Sequence, residues 1–384
     1  MKRMGCAVMV FALLAAVLPV GAGAVELDID GKSALLMDVA TGTILYEKNA
    51  HEALPPASVT KVMTMLLIME AIDSGKIGWD DMVTASESAA AKGGSQIYLK
   101  VGETMSVSDM VKSIAVSSAN DCACAMAEHL AGSESAFVDE MNERARELGM
   151  NDTHFVNCTG LDDGADAAEH KTSAYDIALM SRELLGSHPD IKKYTTIWMD
   201  TVRSGRFGLS NTNKLIRFYS GATGLKTGFT SGAGYCLSAT AQREGMELIA
   251  VVMGCETSQK RTAACKAMLD YGFANFAVVT PAPEEAVTVP VVLGKTEQVA
   301  VKPAQTGELL IDKSQRGSVT TEITVEEAVQ APVSLGQNLG TMTVRAGEQV
   351  LAQIPLVAAE PVERLTYGDL FLLVLKYAAM AEEK

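Results

Sequence analysis

Histidine and closely paired cysteines are scarce in this sequence, which argues against most kinds of metal centre. The chain has five histidines and seven cysteines among 384 residues. No HxxxH or CxxC pattern occurs, and Cys122 and Cys124 would point to different sides of a helix. Zinc sites depend on more favourable ligand spacing than this. We therefore predict that the protein holds no metal and uses no cofactor.

Basic residues are also in deficit, with 32 lysines and arginines against 47 acidic residues and a formal net charge of −15. Proteins that bind phosphate backbones present a basic surface. The charge balance therefore excludes nucleic acid as the main partner. It is still compatible with a small cationic pocket inside an acidic protein.

The longest apolar run, Cys6 to Val20, lies near the N-terminus. Lys2 and Arg3 precede it, and the segment 22–24 (AGA) offers a small-x-small cleavage pattern. A transmembrane anchor is the alternative, but the run is short for a membrane span. We predict that residues 1–24 are a signal peptide that exports the protein to the periplasm or the outer face of the cytoplasmic membrane.

The length of the remaining chain suggests two domains. The first has the pattern of an α+β fold, an antiparallel sheet with covering helices. Predicted helices cover 58–74, 106–130 with a break at 117–120, 134–149, 172–186 and 258–276; predicted strands lie within 33–47, 234–241 and 246–255. In the first of these helices, Val62, Met65, Leu66 and Met69 share one face.

Composition changes at the proline-containing segment 280–285, where valine and threonine become frequent. The pattern beyond it predicts a small all-β domain with strands at 287–292, 298–302, 309–312, 320–324, 340–345 and 349–355. The predicted boundaries are 25–276 for the first domain, 284–361 for the second, and 367–384 for a C-terminal helix with a possible membrane contact.

Six cysteines remain after residue 24, and an even number in an exported chain permits disulfides. Free cysteine also behaves as a small buried apolar residue, which is the interpretation we favour for most of them. The sequence leaves their pairing open.

Three short motifs carry the chemistry. Ser58-Val59-Thr60-Lys61 is S-x-x-K, Ser118-Ala119-Asn120 is S-x-N, and Lys226-Thr227-Gly228 is K-T-G. Each pattern occurs once in the chain, and the three follow one another in the order found in β-lactamases and penicillin-binding proteins. Any one motif is a weak signal, but the ordered set predicts a serine nucleophile.

Ser58 and Lys61 are three residues apart at a predicted helix start, which places both side chains on one face. A serine hydroxyl becomes nucleophilic when a base removes its proton. Lysine acts as that base when it is neutral, so its pKa must fall well below about 10.4. Burial, or a second cation such as Lys226, would lower it.

The other two motifs supply the remaining parts of the predicted site. Ser118 would relay a proton to the leaving group, and Asn120 would bind the substrate amide. A strand starting at Lys226 and Thr227 would dock an extended peptide, and Gly228 would allow close approach of the backbone. The N–H groups of Ser58 and Phe229 are the candidate oxyanion donors.

Each motif also has a plain structural interpretation. Ser58 and Lys61 could be a helix cap and a solvated lysine, Ser118 and Asn120 ordinary loop residues, and Lys226 to Gly228 a turn before a strand. A coincidence of all three, in order, is improbable.

The chain resembles the D-Ala-D-Ala carboxypeptidases, the low-molecular-mass penicillin-binding proteins, along most of its length. The resemblance rests on the segments 54–64, 94–102, 148–161, 223–228 and 251–254 and extends to the β-rich domain. It implies removal of the terminal D-Ala from peptidoglycan stem peptides through an acyl-enzyme on Ser58, and covalent binding of β-lactam antibiotics. It also implies that Arg261, eight residues after Met253, helps Lys226 and Thr227 bind the substrate carboxylate.

Two departures from the family pattern are visible. Ala119 stands where the family usually has glycine, and the C-terminal segment 367–384 is not basic, with two lysines against three acidic residues. Because of the second departure, the family resemblance does not establish how this segment would contact a membrane.

Three other functions compete with this one. A β-lactamase would need an extra glutamate for deacylation, and Glu147 superficially matches the required Glu-x-x-x-Asn spacing with Asn151. A wall-binding scaffold with a vestigial site is disfavoured by the intact motifs. A Ser-His-Asp hydrolase is disfavoured because no G-x-S-x-G occurs.

Overall fold

The computed structural model describes residues 27–164, 166–283, 285–305 and 307–381. The predicted signal peptide, residues 1–24, lies outside the described residues. The strands are β1 (Ser33–Asp38), β2 (Ile44–Lys48), β3 (Met82–Thr84), β4 (Thr104–Ser106), β5 (Met199–Val202), β6 (Phe207–Ser210), β7 (Ala222–Thr230), β8 (Gly234–Arg243), β9 (Met246–Cys255), β10 (Phe276–Val279), β11 (Thr288–Val292), β12 (Gln298–Pro303), β13 (Leu309–Asp312), β14 (Val319–Val325), β15 (Val329–Gln330), β16 (Asn338–Ala346) and β17 (Gln349–Ala358). The α-helices are α1 (Lys61–Asp73), α2 (Glu87–Ala90), α3 (Val107–Ser117), α4 (Asn120–Ala131), α5 (Glu134–Glu147), α6 (Ala174–Ser187), α7 (Lys192–Thr195), α8 (Leu215–Phe218), α9 (Ser258–Asn275) and α10 (Tyr367–Ala381).

A five-stranded antiparallel sheet in the order β2-β1-β9-β8-β7 organises the first domain. Helices cover both of its faces. Successive residues of β9 alternate between two cores: Ile249, Val251 and Met253 face α1 and α6, while Leu248 and Ala250 pack with α9. Because strand side chains point alternately to opposite faces, an almost continuous apolar run is what a strand buried on both sides requires.

Helix α1 is buried all round. The sequence predicted one apolar face at Val62, Met65, Leu66 and Met69, but Met63 and Ile68 on other faces are also fully buried. A helix that is apolar on every side belongs at the centre of a domain. The predicted break at residues 117–120 is confirmed, because α3 ends at Ser117 and α4 begins at Asn120.

A six-stranded sheet in the order β14-β16-β17-β12-β11-β15 forms the second, all-β part, so the predicted fold class is confirmed. All six strands predicted there are present. Two strands were not predicted: the short β15, and β10, which begins at Phe276 where the sequence predicted the end of a helix. β10 pairs with β13 and joins the two parts.

Helix α10 begins at Tyr367, as predicted, and exposes an apolar surface at Phe371, Leu372, Leu373, Val374 and Leu375. Among the described residues, no helix combines the length and apolar character needed to cross a bilayer. The six cysteines after residue 24 are all buried free thiols, as the sequence favoured.

Candidate active site

Strand β7 carries Lys226, Thr227 and Gly228 past the turn that holds Ser58. A Cβ atom on Gly228 would lie 2.6 Å from the Pro56 carbonyl oxygen and 3.1 Å from the Ser58 amide nitrogen. Only glycine permits this approach. Within the described residues β7 pairs with β8 alone, so its other edge is free to pair with an extended peptide.

Ser58 lies in a short 3₁₀ helix, Ala57–Thr60, that continues directly into α1. The Lys61 Nζ donates to the Ser58 Oγ at 3.0 Å and to the Thr159 carbonyl oxygen at 2.7 Å. The hydroxyl and the amine are therefore in position for proton transfer.

Lys61 has no solvent-exposed surface. Burial lowers the pKa of its amine from 10.5 to about 7, although Cys158 and Asp121 act in the opposite direction. A large fraction of the amine is then neutral near pH 7 and can accept the serine proton. Burial, one of the two causes expected from the sequence, is the dominant one.

The loop that meets Lys61 is organised by Asn157. Its Oδ1 accepts from the N–H groups of Thr159 at 3.1 Å and Gly160 at 2.7 Å, and its Nδ2 donates to the Leu161 carbonyl at 3.0 Å. These bonds turn the Thr159 carbonyl toward Lys61. The sequence pointed to this segment only through the family resemblance and assigned it no role.

Ser118 and Asn120 lie where α3 ends and α4 begins. Ser118 has a left-handed backbone, with φ of 62°. Asn120 donates through Nδ2 to the Gly93 carbonyl at 2.8 Å. The Ser118 Oγ and the Asn120 Oδ1 are buried, and neither has a hydrogen-bond partner among the described residues. Because buried polar atoms normally have partners, these two are suited to bind a ligand.

Lys226 is almost fully buried and donates through Nζ to the Thr227 carbonyl at 2.8 Å. Burial, followed by the positive charges of Lys61 and Arg261, lowers its pKa well below 10.5. Thr227 bonds through Oγ1 to the Thr212 Oγ1 at 2.6 Å. The N–H of Thr212 in turn donates to the carbonyl of Val116, near the end of α3, so this contact ties the K-T-G strand to the S-x-N turn.

Arg261 lies in the first turns of α9 and is only 8% exposed, so it is not a surface residue at a helix start. Its Nη1 donates to the Gly228 carbonyl at 3.3 Å, and its guanidinium stacks over the Tyr235 ring at 5.6 Å. Phe229 is 53% exposed and packs on the same tyrosine, with its ring centroid 4.2 Å from that of Tyr235. The basic side chains of Lys226 and Arg261 therefore lie close to Gly228 in an acidic protein.

Comparison with known proteins gives the family. The family described as D-alanyl-D-alanine carboxypeptidase matches residues 21–257, and the family described as penicillin-binding protein 5, C-terminal domain, matches residues 279–364. The D-alanyl-D-alanine carboxypeptidase DacF of Bacillus subtilis is 43% identical over 345 residues, covering 88% of this chain and 87% of that protein. The chain belongs to the D-alanyl-D-alanine carboxypeptidase family.

Other members of the family support the same assignment. DacC of Escherichia coli is 34% identical over 87% of this chain and 85% of its own length. Penicillin-binding protein 5 of Haemophilus influenzae aligns with a TM-score of 0.75 at 30% identity, covering 89% of this chain and 100% of that one. Penicillin-binding protein D2 of Listeria monocytogenes, solved in its ampicillin-bound form, aligns with a TM-score of 0.59 at 33% identity over 65% of this chain and 99% of that one. The predicted membership of the low-molecular-mass penicillin-binding proteins is confirmed.

The matched family segment contains the S-x-x-K, S-x-N and K-T-G motifs, whereas Arg261 lies just beyond its end at residue 257. The structure adds residues for which the motifs gave no signal, among them Thr212, Gly93 and the carbonyl of Thr159. A main-chain carbonyl leaves no signature in a sequence, because any residue supplies one.

The glutamate that would favour a β-lactamase lies on the surface. Glu147 ends α5, its side chain is 58% exposed, and it pairs with the Arg144 Nη1 at 3.1 Å. Glu147 is therefore a solvated surface residue, and its match to the β-lactamase spacing is superficial.

Glu70, Glu183 and His188 lie close enough together to be considered for a metal, with ligand atoms within 4.8 Å. Arg144 donates to Glu70 at 2.7 Å and to Glu183 at 2.9 Å. Its guanidinium already pairs with both carboxylates, so a metal ion would have to displace a bound cation.

Proposed function

We propose that this protein is a serine D-Ala-D-Ala carboxypeptidase that removes the terminal D-Ala from peptidoglycan stem peptides through an acyl-enzyme on Ser58. The observation that carries the proposal is the buried Lys61 amine, with a pKa of about 7, at 3.0 Å from the Ser58 Oγ. A solvated lysine at the same spacing would be charged at neutral pH and could not act as a base.

In the proposed reaction, neutral Lys61 takes the hydroxyl proton as the Ser58 Oγ attacks the carbonyl carbon of the D-Ala-D-Ala bond. The N–H groups of Ser58 and Phe229 hold the oxyanion. The C–N bond then breaks, and the departing D-Ala amine takes the proton from Lys61 by way of Ser118. Water hydrolyses the ester, which frees Ser58 and the shortened peptide. Asn120 and the edge of β7 hold the substrate backbone throughout.

The direct test is incubation of the protein with a diacylated peptide ending in D-Ala-D-Ala, with quantitation of free D-Ala. We expect release of one D-Ala per peptide and its loss after pre-incubation with penicillin, which acylates the same serine. The control is the same peptide ending in L-Ala-L-Ala, from which we expect no release. An absence of D-Ala release from protein that still binds penicillin would contradict the carboxypeptidase proposal and favour a binding role.

We further propose that Lys226, Thr227 and Arg261 bind the C-terminal carboxylate of the substrate. A carboxypeptidase must select a free C-terminus, and the overall charge of −15 repels an anion unless local cations attract it. The convergence of the buried Lys226 and Arg261 near Gly228 supports this assignment.

Arg261→Ala is expected to lower kcat/KM for the free acid by roughly tenfold to a hundredfold. That range corresponds to about 1.5–3 kcal/mol, the contribution of a hydrogen bond to a charged group. Arg243→Ala is a matched control: Arg243 also donates to a carbonyl, that of Ser220, and stacks on aromatic rings, but it lies at the far end of β8. Equal kinetics for Arg261→Ala and wild type would remove Arg261 from the site.

We also infer that the signal segment 1–24 is removed on export, leaving a peptidase domain (25–276), a β-rich domain (284–361) and a C-terminal helix, and that the enzyme acts outside the cytoplasm. The exposed apolar side chains of α10 support a peripheral membrane contact for that helix. A helix packed on the β-rich domain is the alternative, because the segment has no excess of basic residues for anionic lipid.

Truncation after Thr366 is expected to move the protein from the membrane fraction to the soluble fraction without loss of D-Ala release, because none of the described side chains of α10 lies in the site. The matched point variant is Leu372→Ser with Leu375→Ser, which keeps the helix length but removes apolar surface. Full-length protein that already fractionates as soluble would contradict the membrane contact.

A further inference from the structure

We propose that His170 is a positioning residue that, through the hydroxyl of Thr60, holds the turn carrying Ser58 in its reactive conformation. The inference rests on the proposed function of Ser58 as the nucleophile. Neither His170 nor Thr60 belongs to the side chains assigned to substrate or proton transfer above.

The turn needs such support because the residue before the nucleophile has an unfavourable backbone. Ala57 has φ of 48°, in the left-handed region that side chains with a Cβ atom adopt rarely. Its conformation sets the direction in which the next residue, Ser58, leaves the turn. An unfavourable conformation persists only where the surrounding contacts hold it.

A directed chain of hydrogen bonds reaches this residue from the protein interior. The N–H of Val156 donates to the His170 Nδ1 at 3.0 Å. A main-chain N–H can only donate, so Nδ1 is the acceptor and the neutral imidazole carries its proton on Nε2. The Nε2–H then donates to the Thr60 Oγ1 at 2.7 Å, and the Thr60 hydroxyl donates to the Ala57 carbonyl at 2.8 Å. Each bond in the chain has one possible donor once Nδ1 is the acceptor, so the direction is unambiguous.

The surroundings keep the imidazole neutral. His170 is 3% exposed and Thr60 is fully buried. Burial, reinforced by the positive potential of His154 and Lys61, lowers the pKa of His170 to about 4. A protonated ring would present an N–H at Nδ1 to the N–H of Val156, so the neutral form is also the form that the hydrogen bonds require.

The loop whose Thr159 carbonyl accepts from Lys61 also packs against this chain of hydrogen bonds. Gly160 packs so tightly that a Cβ atom would lie 1.8 Å from the Ala57 oxygen and 2.7 Å from the Thr60 Oγ1. This leaves no room for water to replace the Thr60 hydroxyl as donor to Ala57. The Ala57 carbonyl therefore depends on Thr60, and Thr60 depends on His170 for its orientation.

The test separates the binding of penicillin from acylation. A fluorescent penicillin, followed over time at several concentrations, gives a dissociation constant for the non-covalent complex and a first-order acylation rate constant. We expect Thr60→Val, which keeps the volume but removes the hydroxyl, to lower the acylation rate constant about tenfold, equivalent to about 1.4 kcal/mol. The dissociation constant should change less than twofold, because Thr60 does not touch the ligand.

Four further variants complete the design. Thr60→Ser keeps the hydroxyl and should restore most of the rate. His170→Leu should lower the rate like Thr60→Val, and the double variant should be no slower than either alone, because both substitutions interrupt one chain. Thr195→Val is the matched control, because Thr195 is a buried threonine whose hydroxyl donates to the carbonyl of Thr223, at the start of β7. It should lose stability but keep the acylation rate constant.

A wild-type acylation rate constant in Thr60→Val would overturn the proposal, as would equal losses in Thr60→Val and Thr195→Val, since the effect would then be one of general packing. The Thr60 variants decide the question even if His170→Leu fails to fold. Absence of an adduct in the wild-type protein would instead show that Ser58 is not the nucleophile, and this inference would fail together with the proposed function.

Discussion

Ser58→Ala is expected to abolish the covalent penicillin adduct and D-Ala release together. The substitution removes the proposed attacking atom, the Oγ that lies 3.0 Å from the Lys61 Nζ, and leaves the strand β7 and the basic residues unchanged. Residual hydrolysis from binding and oxyanion stabilisation alone produces no acyl-enzyme.

Intact-mass measurement after penicillin treatment tests this expectation. The wild-type protein should gain the mass of one penicillin, and the variant should gain none. Ser181→Ala is the matched control, because that buried serine bonds to Ser238 and has no place in the proposed reaction; it should form the adduct normally. An adduct of the same mass on Ser58→Ala would show that another residue is acylated.

Lys61→Arg is expected to lower the acylation rate constant by a factor of about 10²–10⁴, the usual contribution of a general base. Arginine preserves the positive charge but stays protonated at every accessible pH. The wild-type acylation rate should rise with pH through about 7, as Lys61 loses its proton, and level off above that. The residual rate of the variant should lack this rise.

Acylation rates measured from pH 5 to 9 on both proteins provide the test. Lys192→Arg is the matched control, since Lys192 pairs with Glu247 at 2.5 Å and therefore needs only its charged form. It should retain both the rate and the pH profile. A Lys61→Arg variant with a normal rate constant would assign the role of base to another group.

The sequence predicts the fold class and the motif residues because both are encoded locally. Alternating and helical patterns located the hairpin β8–β9 and the six main strands of the β-rich part. The break before Asn120 followed from serine and asparagine, which favour helix ends over helix interiors. Ser58 and Lys61 were brought together by nothing more than the geometry of one helical turn.

What the sequence could not predict depends on contacts between distant segments. The approach of Thr159 to Lys61 spans 98 residues, and that of His170 to Thr60 spans 110. His170 is one of five histidines without a motif, so its role appears only when the chain is folded.

The burial of Lys61 also affects the stability of the folded protein. A pKa lowered from 10.5 to about 7 means that the unfolded chain binds a proton here that the folded protein releases. Between those two values the stability of the fold rises with pH, and below them the lysine costs about 5 kcal/mol, since each unit of pKa is worth about 1.4 kcal/mol. That is a large part of the 5–15 kcal/mol typical of a folded domain. The residue that supplies the base thus lowers the stability of the fold, so stability and activity make opposite demands on position 61.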